Sequence, residues 1–117
     1  MNKILCTAAF LMAATCMPGH AAEVQTYAGP QTVKDNPARI AVFDIAAIDT
    51  LDALGIEIDG VPNNLYLERL QTKYAGAEVV GTLFEPDLEA LNALAPELVV
   101  VGGRSAAYEK ELGRARK

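Results

Sequence analysis

The sequence predicts an α/β fold, a parallel sheet flanked by helices with a short β-hairpin in front of it. Three observations carry that expectation. Between Arg39 and Val101, short apolar runs alternate with amphipathic stretches, and strands separated by helices pair in parallel. Leu98 to Val101 is apolar without alternation, the pattern of a strand covered on both faces. Ahead of these, Val24, Thr26, Thr32 and Val33 flank Ala28-Gly29-Pro30, which reads as a hairpin turning at Gly-Pro.

The first 22 residues stand apart. "MNKILCTAAFLMAATCMPGHAA" has one positive charge, Lys3, then an apolar run from Ile4 to Ala14, then Pro18-Gly19 and a small-residue end. That is the pattern of a cleavable secretory signal peptide, with cleavage after Ala21 or Ala22. Residues 23–117 then form the folded domain. Cys16, preceded by Ala13-Ala14-Thr15, is a poor match to a lipid-anchored cysteine. Cleavage would remove both cysteines, Cys6 and Cys16, and the only histidine, His20. The remainder has no thiolate, imidazole or disulfide, so a Cys/His zinc site and a histidine-based triad are excluded. It carries 15 acidic residues against 9 basic ones once Lys3 is gone, a net charge of −6. Nucleic acid, which needs a basic footprint, is not expected as a partner.

The elements follow in order. Pro37 keeps Asn36 out of helical geometry and ends the hairpin region. "RIAVF" is a buried strand. "DIAAIDTLDALG" is a helix with Ile45, Ile48, Leu51 and Leu54 on one face. Asp44 reads as its N-cap, Asp49 and Asp52 as its solvated side, and Gly55 as its stop. "IEIDGVP" is the second strand. "NNLYLERLQTKYAG" turns weakly helical around Leu65 to Leu70, and "AEVVG" is the third strand. In "TLFEPDLEALNALAP" a loop precedes a helix on which Leu88, Leu91 and Leu94 share a face, with Pro86 and Asp87 at its start. "ELVVVGG" is the fourth strand and "RSAAYEKELGRARK" a last helical stretch. Its basic residues Lys110, Arg114, Arg116 and Lys117 suit a helix C-terminus.

In such sheets ligands sit beyond the carboxyl ends of the strands. Four loops gather there: Phe43-Asp44, Pro62-Asn63-Asn64, Gly81 to Glu85, and Gly102-Gly103-Arg104. The last could hold an anion through helix N-terminal amides and a guanidinium, or simply leave a solvated arginine at a strand end. Glu89 lies on the polar face of its helix, which by pattern alone is solvation. There is no G-x-G-x-x-G and no G-x-x-x-x-G-K-[ST], so neither common phosphate-binding loop is present. No acid/base pair and no nucleophile stand out.

"NPARIAVFDIAAIDTLDALGIEIDGVP" and "VVGTLFEPDLEALNALAPELVVVGGRSAAYEKEL", with the preceding hairpin, resemble the periplasmic iron-siderophore-binding proteins of ABC importers, whose two lobes are joined by one rigid helix. The resemblance runs from about Glu23 to Leu112. Its most specific string is similar to the group that binds ferric petrobactin, anguibactin and vibriobactin. The resemblance implies an N-terminal lobe that binds a ferric, catecholate-type siderophore in the periplasm and delivers it to an inner-membrane ABC permease and its ATPase. Arg104 matches the family arginine that meets the anionic chelate. Glu89 matches the glutamate that docks on permease arginines. Asn63, Asn64, Leu83 and Phe84 fall, by loop position, where relatives line the cleft. Iron would arrive inside the siderophore, so neither a metal-ligating residue nor a cofactor is expected, and neither is enzymatic activity.

Family chains are more than twice this length and continue after "YEKEL" into the linking helix and a second lobe. The chain therefore reads as a truncated form with half a cleft. The alternatives are a non-functional fragment, a self-associating half-receptor and, from another class, a small α/β enzyme or nucleotide-binding module. The missing phosphate loops and the missing nucleophile–base pair argue against the last.

Overall fold

The computed structural model describes residues 21–115. The expected signal peptide lies outside them, except that Ala21 and Ala22 already belong to the first strand. Strands β1 (Ala21–Thr26) and β2 (Gly29–Lys34) form the expected hairpin, antiparallel, with Ala21 opposite Lys34 and Thr26 opposite Gly29. The turn lies one step earlier than expected. Tyr27 and Ala28 make it, while Gly29 and Pro30 open β2. Pro30 is tolerated there because a two-stranded ribbon consists of edges, where a missing N–H costs no ladder bond.

The hairpin is tied to the body through Glu97. That carboxylate accepts from the Ala38 amide at 2.6 Å and from Lys34 Nζ at 2.8 Å. The backbone bond from Ala38, then the bond from Lys34, holds its pKa below the usual value of 4.5. A carboxylate depressed on folding contributes stability above its unfolded pKa and loses it as pH falls through the folded one. Glu97→Gln should therefore melt below wild type at pH 7. The gap should close progressively as the pH drops below about 4.5 in parallel thermal melts. A gap of constant size would show that the charge at Glu97 plays no part.

Beyond the hairpin, β3 (Ile40–Val42), β4 (Gly60–Val61), β5 (Glu78–Val79) and β6 (Leu98–Val100) form a parallel sheet in the order β5-β4-β3-β6. Helices α1 (Ile45–Ala53) and α2 (Glu68–Lys73) connect β3 to β4 and β4 to β5. Helix α3 (Leu88–Leu94) leads from β5 back across to β6, and a 3-10 turn (Ala106–Tyr108) runs into α4 (Glu109–Ala115). The strand–helix alternation read from the sequence is the observed order.

The layers follow from the pleat of β3. Ile40 and Val42 point to one face, with Ile48 of α1, Leu70 of α2 and Tyr74. Ala41 points to the other, and Phe43, just past the strand, packs on that same side with Leu91 of α3 and Leu112 of α4. The central strands β3 and β4 are buried throughout; β6 is an edge strand of the described sheet, so Leu98 to Val101 are half-buried rather than covered on both sides as their composition suggested.

The helix ends are set by side chains the sequence exposed. Asp44 is extended (φ −131°, ψ 124°) and its carboxylate accepts from the Ala47 amide at 2.9 Å. At the other end the Gly55 amide donates to Asp52 and the Ile56 amide to Leu51, a Schellman closure. Leu54 falls at the C-cap, past the apolar stripe, and is 70% exposed. Asp87 caps α3 by accepting from the Glu89 and Ala90 amides. Helix α2 starts at Glu68, later than the apolar spacing indicated, because Leu65 to Leu67 form a tight turn closed by the Leu67 amide on the Leu65 carbonyl.

Candidate functional site

From β3 the chain winds outward through β4 to β5 and then returns to the opposite side of β3 as β6. The strand order therefore reverses between β3 and β6. There the connections after the two strands diverge and leave a crevice beyond their carboxyl ends. In the structure an open cleft of about 350 Å³ lies at this point. Phe43 and Asp44, leaving β3, line it with Ile45, Ala46 and Asp49 of α1. Leu67, Leu83 and Arg104 complete its walls from the other loops.

The close fit of the β3 and β6 ends depends on a glycine. A Cβ on Gly102 would stand 2.3 Å from Asp44 Oδ2. The missing side chain thus lets the β6 end pass directly over the capping carboxylate. The chain then turns, the Ser105 amide donating to the Gly102 carbonyl, and Ser105 is fully buried behind the cleft. This turn points Arg104 outward. Its guanidinium is exposed, forms no ion pair among the described residues, and lies 5.9 Å from the centre of the Phe84 ring.

Phe84 is held in place by a compact loop. Gly81 and Pro86 bridge, the Thr82 amide donates to the Glu85 carbonyl, and Thr82 Oγ1 accepts from the Phe84 and Glu85 amides. Leu83 is thereby directed inward, 4% exposed, and Phe84 outward, 57% exposed.

The structure thus places Arg104 and Leu83 in the cleft lining, with Phe84 outside the lining but beside Arg104 at its rim. Asn63 and Asn64 stand outside the lining. Asn63 is exposed and its amide donates to the Gly81 carbonyl, joining the second and third loops. Asn64 Oδ1 accepts from the Tyr66 amide and holds Tyr66 in a left-handed conformation (φ 58°). Glu89 sits in the first turn of α3, exposed and away from the cleft lining. Sequence reading missed Leu67, Ala46 and Asp49 as lining residues. The spacing of α1 did show Ala46 and Asp49 off its apolar face, and only the location of the crevice turns that face into a wall.

Asp49 and Asp52 were expected to be merely solvated. Instead they meet α2. Arg69 pairs with Asp49 and reaches Asp52 at 4.0 Å, while Lys73 pairs with Asp52. The Tyr74 hydroxyl donates to Asp52 at 3.0 Å. The hydrogen bond from Lys73 does most to pull Asp52 below the usual carboxylate range. Burial, then the bond to Asp52, pushes Tyr74 up to about 12. Both groups keep these states across the physiological range. No group of three or more His, Cys, Asp or Glu is arranged to hold a metal ion among the described residues.

No protein-family model matches the chain. It is 35% identical over 88 residues to the petrobactin-binding protein YclQ of Bacillus subtilis (strain 168), a match covering 70% of this chain and 27% of YclQ. It is 27% identical over 89 residues to the ferric-anguibactin-binding protein FatB of Vibrio anguillarum (strain ATCC 68554 / 775), covering 74% of this chain and 27% of FatB. The homologues of this chain are siderophore-binding proteins. The fold agrees. The crystal structure of YclQ matches with a TM-score of 0.74 at 28% identity, over 82% of this chain and 35% of that one. The periplasmic catecholate-siderophore binding protein VctP of Vibrio cholerae matches with a TM-score of 0.72 at 29% identity, over 82% of this chain and 35% of that one. A further relative, 32% identical over 77 residues, is YhfQ of Bacillus subtilis (strain 168), named as a putative ABC transporter substrate-binding lipoprotein. These relatives are binding proteins, not enzymes, and the chain spans 27% of the length of YclQ and FatB and 35% of these solved chains. No helix among the described residues is long and apolar enough to cross a membrane.

Proposed function

We propose that this chain is the N-terminal lobe of a periplasmic receptor that binds a ferric, catecholate-type siderophore and passes it to an ABC importer in the inner membrane. One observation carries the reading: an exposed guanidinium without an ion-pair partner among the described residues stands at the switch-point cleft, beside an exposed aromatic ring, in a chain with siderophore-binding homologues. A ferric catecholate is an anion with flat aromatic faces. Arg104 keeps its charge at every accessible pH and can donate two parallel hydrogen bonds to chelate oxygens. Phe84 offers a ring face next to it, and Leu67 and Leu83 supply apolar wall. Iron arrives already coordinated, so the chain needs to contribute no metal ligand and no cofactor. Glu89, exposed at the start of α3, is the residue we assign to docking on basic side chains of the permease. Residues 1–22 serve as the export signal in this reading.

The test is a titration. The protein has four tyrosines and no tryptophan, so tyrosine emission reports on it. Adding a ferric catecholate, with correction for absorption by the chelate, should give saturable quenching. A folded protein without saturable quenching would sink the proposal. Arg104→Ala should then weaken binding by about 1.5–3 kcal/mol, the contribution of a hydrogen bond to a charged group, or roughly tenfold and more in affinity. Unchanged affinity would remove Arg104 from the site.

A further inference from the structure

The charges around the cleft pose a problem for any anionic ligand. Its charged lining residues are Asp44, Asp49 and Arg104, two carboxylates against one guanidinium. Left uncompensated, that set would repel an anion. Asp44 is compensated by its own helix: one oxygen accepts the Ala47 amide at the positive end of α1, and the other is packed against Gly102. Asp49 lies one turn along α1, beyond that end, and its compensation comes from α2 through Arg69.

Arg69 has a choice of two carboxylates, and the neighbouring residues bias it. Asp52 is already occupied by Lys73 and by the Tyr74 hydroxyl, and Arg69 reaches it only at 4.0 Å. Arg69 is thereby left to Asp49, the one carboxylate of the pair that faces the cleft. The spacing permits this in a simple way. Asp49 and Asp52 are three apart on α1, and Arg69 and Lys73 are four apart on α2, so each makes a one-turn stripe on its helix.

We infer that Arg69 is a positioning residue for anion binding: by neutralising Asp49 it leaves Arg104 as the uncompensated charge of the cleft. The inference rests on the proposed binding of an anionic chelate at this site. Arg69 contacts the ligand only through the field of Asp49, so its effect must vanish when Asp49 loses its charge. It must also shrink when salt screens both groups, which are about half exposed.

The experiment uses the full chain and the iron(III) complex of 2,3-dihydroxybenzoate as probe, read by tyrosine quenching. Arg69→Ala should bind about two- to five-fold more weakly than wild type at low salt, the range of an exposed ion pair. The double variant R69A/D49N should return to wild-type affinity or better. Raising the salt to about 0.5 M, where the Debye length is only a few ångströms, should bring R69A and wild type together. A merely structural role for Arg69 predicts a deficit that neither Asp49→Asn nor salt repairs. That result overturns the inference, as does equal binding by R69A and wild type at low salt. If R69A is unfolded by circular dichroism, Asp49→Asn alone decides: tighter binding supports the inference and unchanged binding overturns it. If wild type itself shows no saturable quenching, the binding reading fails and the inference falls with it.

Discussion

Phe43→Ala should destabilise the protein by about 3–5 kcal/mol, a large part of the 5–15 kcal/mol that holds a typical domain together. Phe43 is 1% exposed and is the largest fully buried side chain among the described residues. It follows directly on β3, where Ala41 is the only strand residue facing the same side and is too small to fill it. Phe43 shares one buried cluster with Val80, Leu91 and Leu112, and truncating it leaves a cavity in that layer. The Phe43 amide also donates to the Val100 carbonyl at 2.8 Å, extending the β3–β6 ladder to the cleft. Loss of the ring should therefore loosen α3 and α4 and the floor of the cleft together. Urea denaturation followed by circular dichroism measures it, with the midpoint falling and the slope unchanged. Phe84→Ala is the control. With 57% of its surface exposed it should cost less than about 1 kcal/mol of stability. Equal losses at the two positions would mean that the ring of Phe43 is not what holds this layer.

That contrast between two phenylalanines marks what the sequence made legible. Element order, the caps at Asp44 and Asp87 and the stop at Gly55 were readable because each depends on residues within one turn of chain. The rim loops were readable because strand–helix alternation fixes which strand ends point the same way. Arg104 follows from that rule, and Phe84 and Leu83 follow by loop position. Pairings between elements distant in sequence were not readable. Asp49 and Asp52 look solvated when α1 is taken alone, and only the placement of α2 beside it turns them into partners of Arg69 and Lys73. The same holds for Leu98 to Val101. Their composition suits a central strand, but strand order, which local pattern does not encode, puts them at the edge of the described sheet. Asn63 and Asn64 show a third limit. Both sit in a loop of the right location, yet outside the cleft lining: Asn63 bridges to Gly81 through its backbone amide, and the Asn64 side chain braces Tyr66.

Gly81→Ala should be nearly as damaging as the loss of Phe43, although it adds a single methyl group. Gly81 has φ 124°, a conformation L side chains rarely adopt. A Cβ there would stand 2.5 Å from the Asp87 amide nitrogen and 2.5 Å from the Glu85 carbonyl oxygen. Both obstacles are backbone, and both belong to the hydrogen bonds that close the loop: Asp87 donates to Val80, and Glu85 accepts from Thr82. The chain cannot move one without opening the loop. Strain of about 1–3 kcal/mol for the conformation adds to about 1.5–3 kcal/mol for releasing Leu83 from the core. A total of roughly 2.5–6 kcal/mol is expected. The functional consequence runs in the same direction. An opened loop withdraws Phe84 from Arg104 and Leu83 from the cleft wall, so ferric catecholate binding should be lost even where the protein remains folded. Gly76→Ala supplies the comparison, since a Cβ there meets nothing within 4 Å and Gly76 is not in the left-handed region. It should change stability by no more than about 0.5 kcal/mol. If G81A unfolds at the same urea concentration as G76A, the loop is not held by the close approach at Gly81, and the fixed placement of Phe84 beside Arg104 needs another cause.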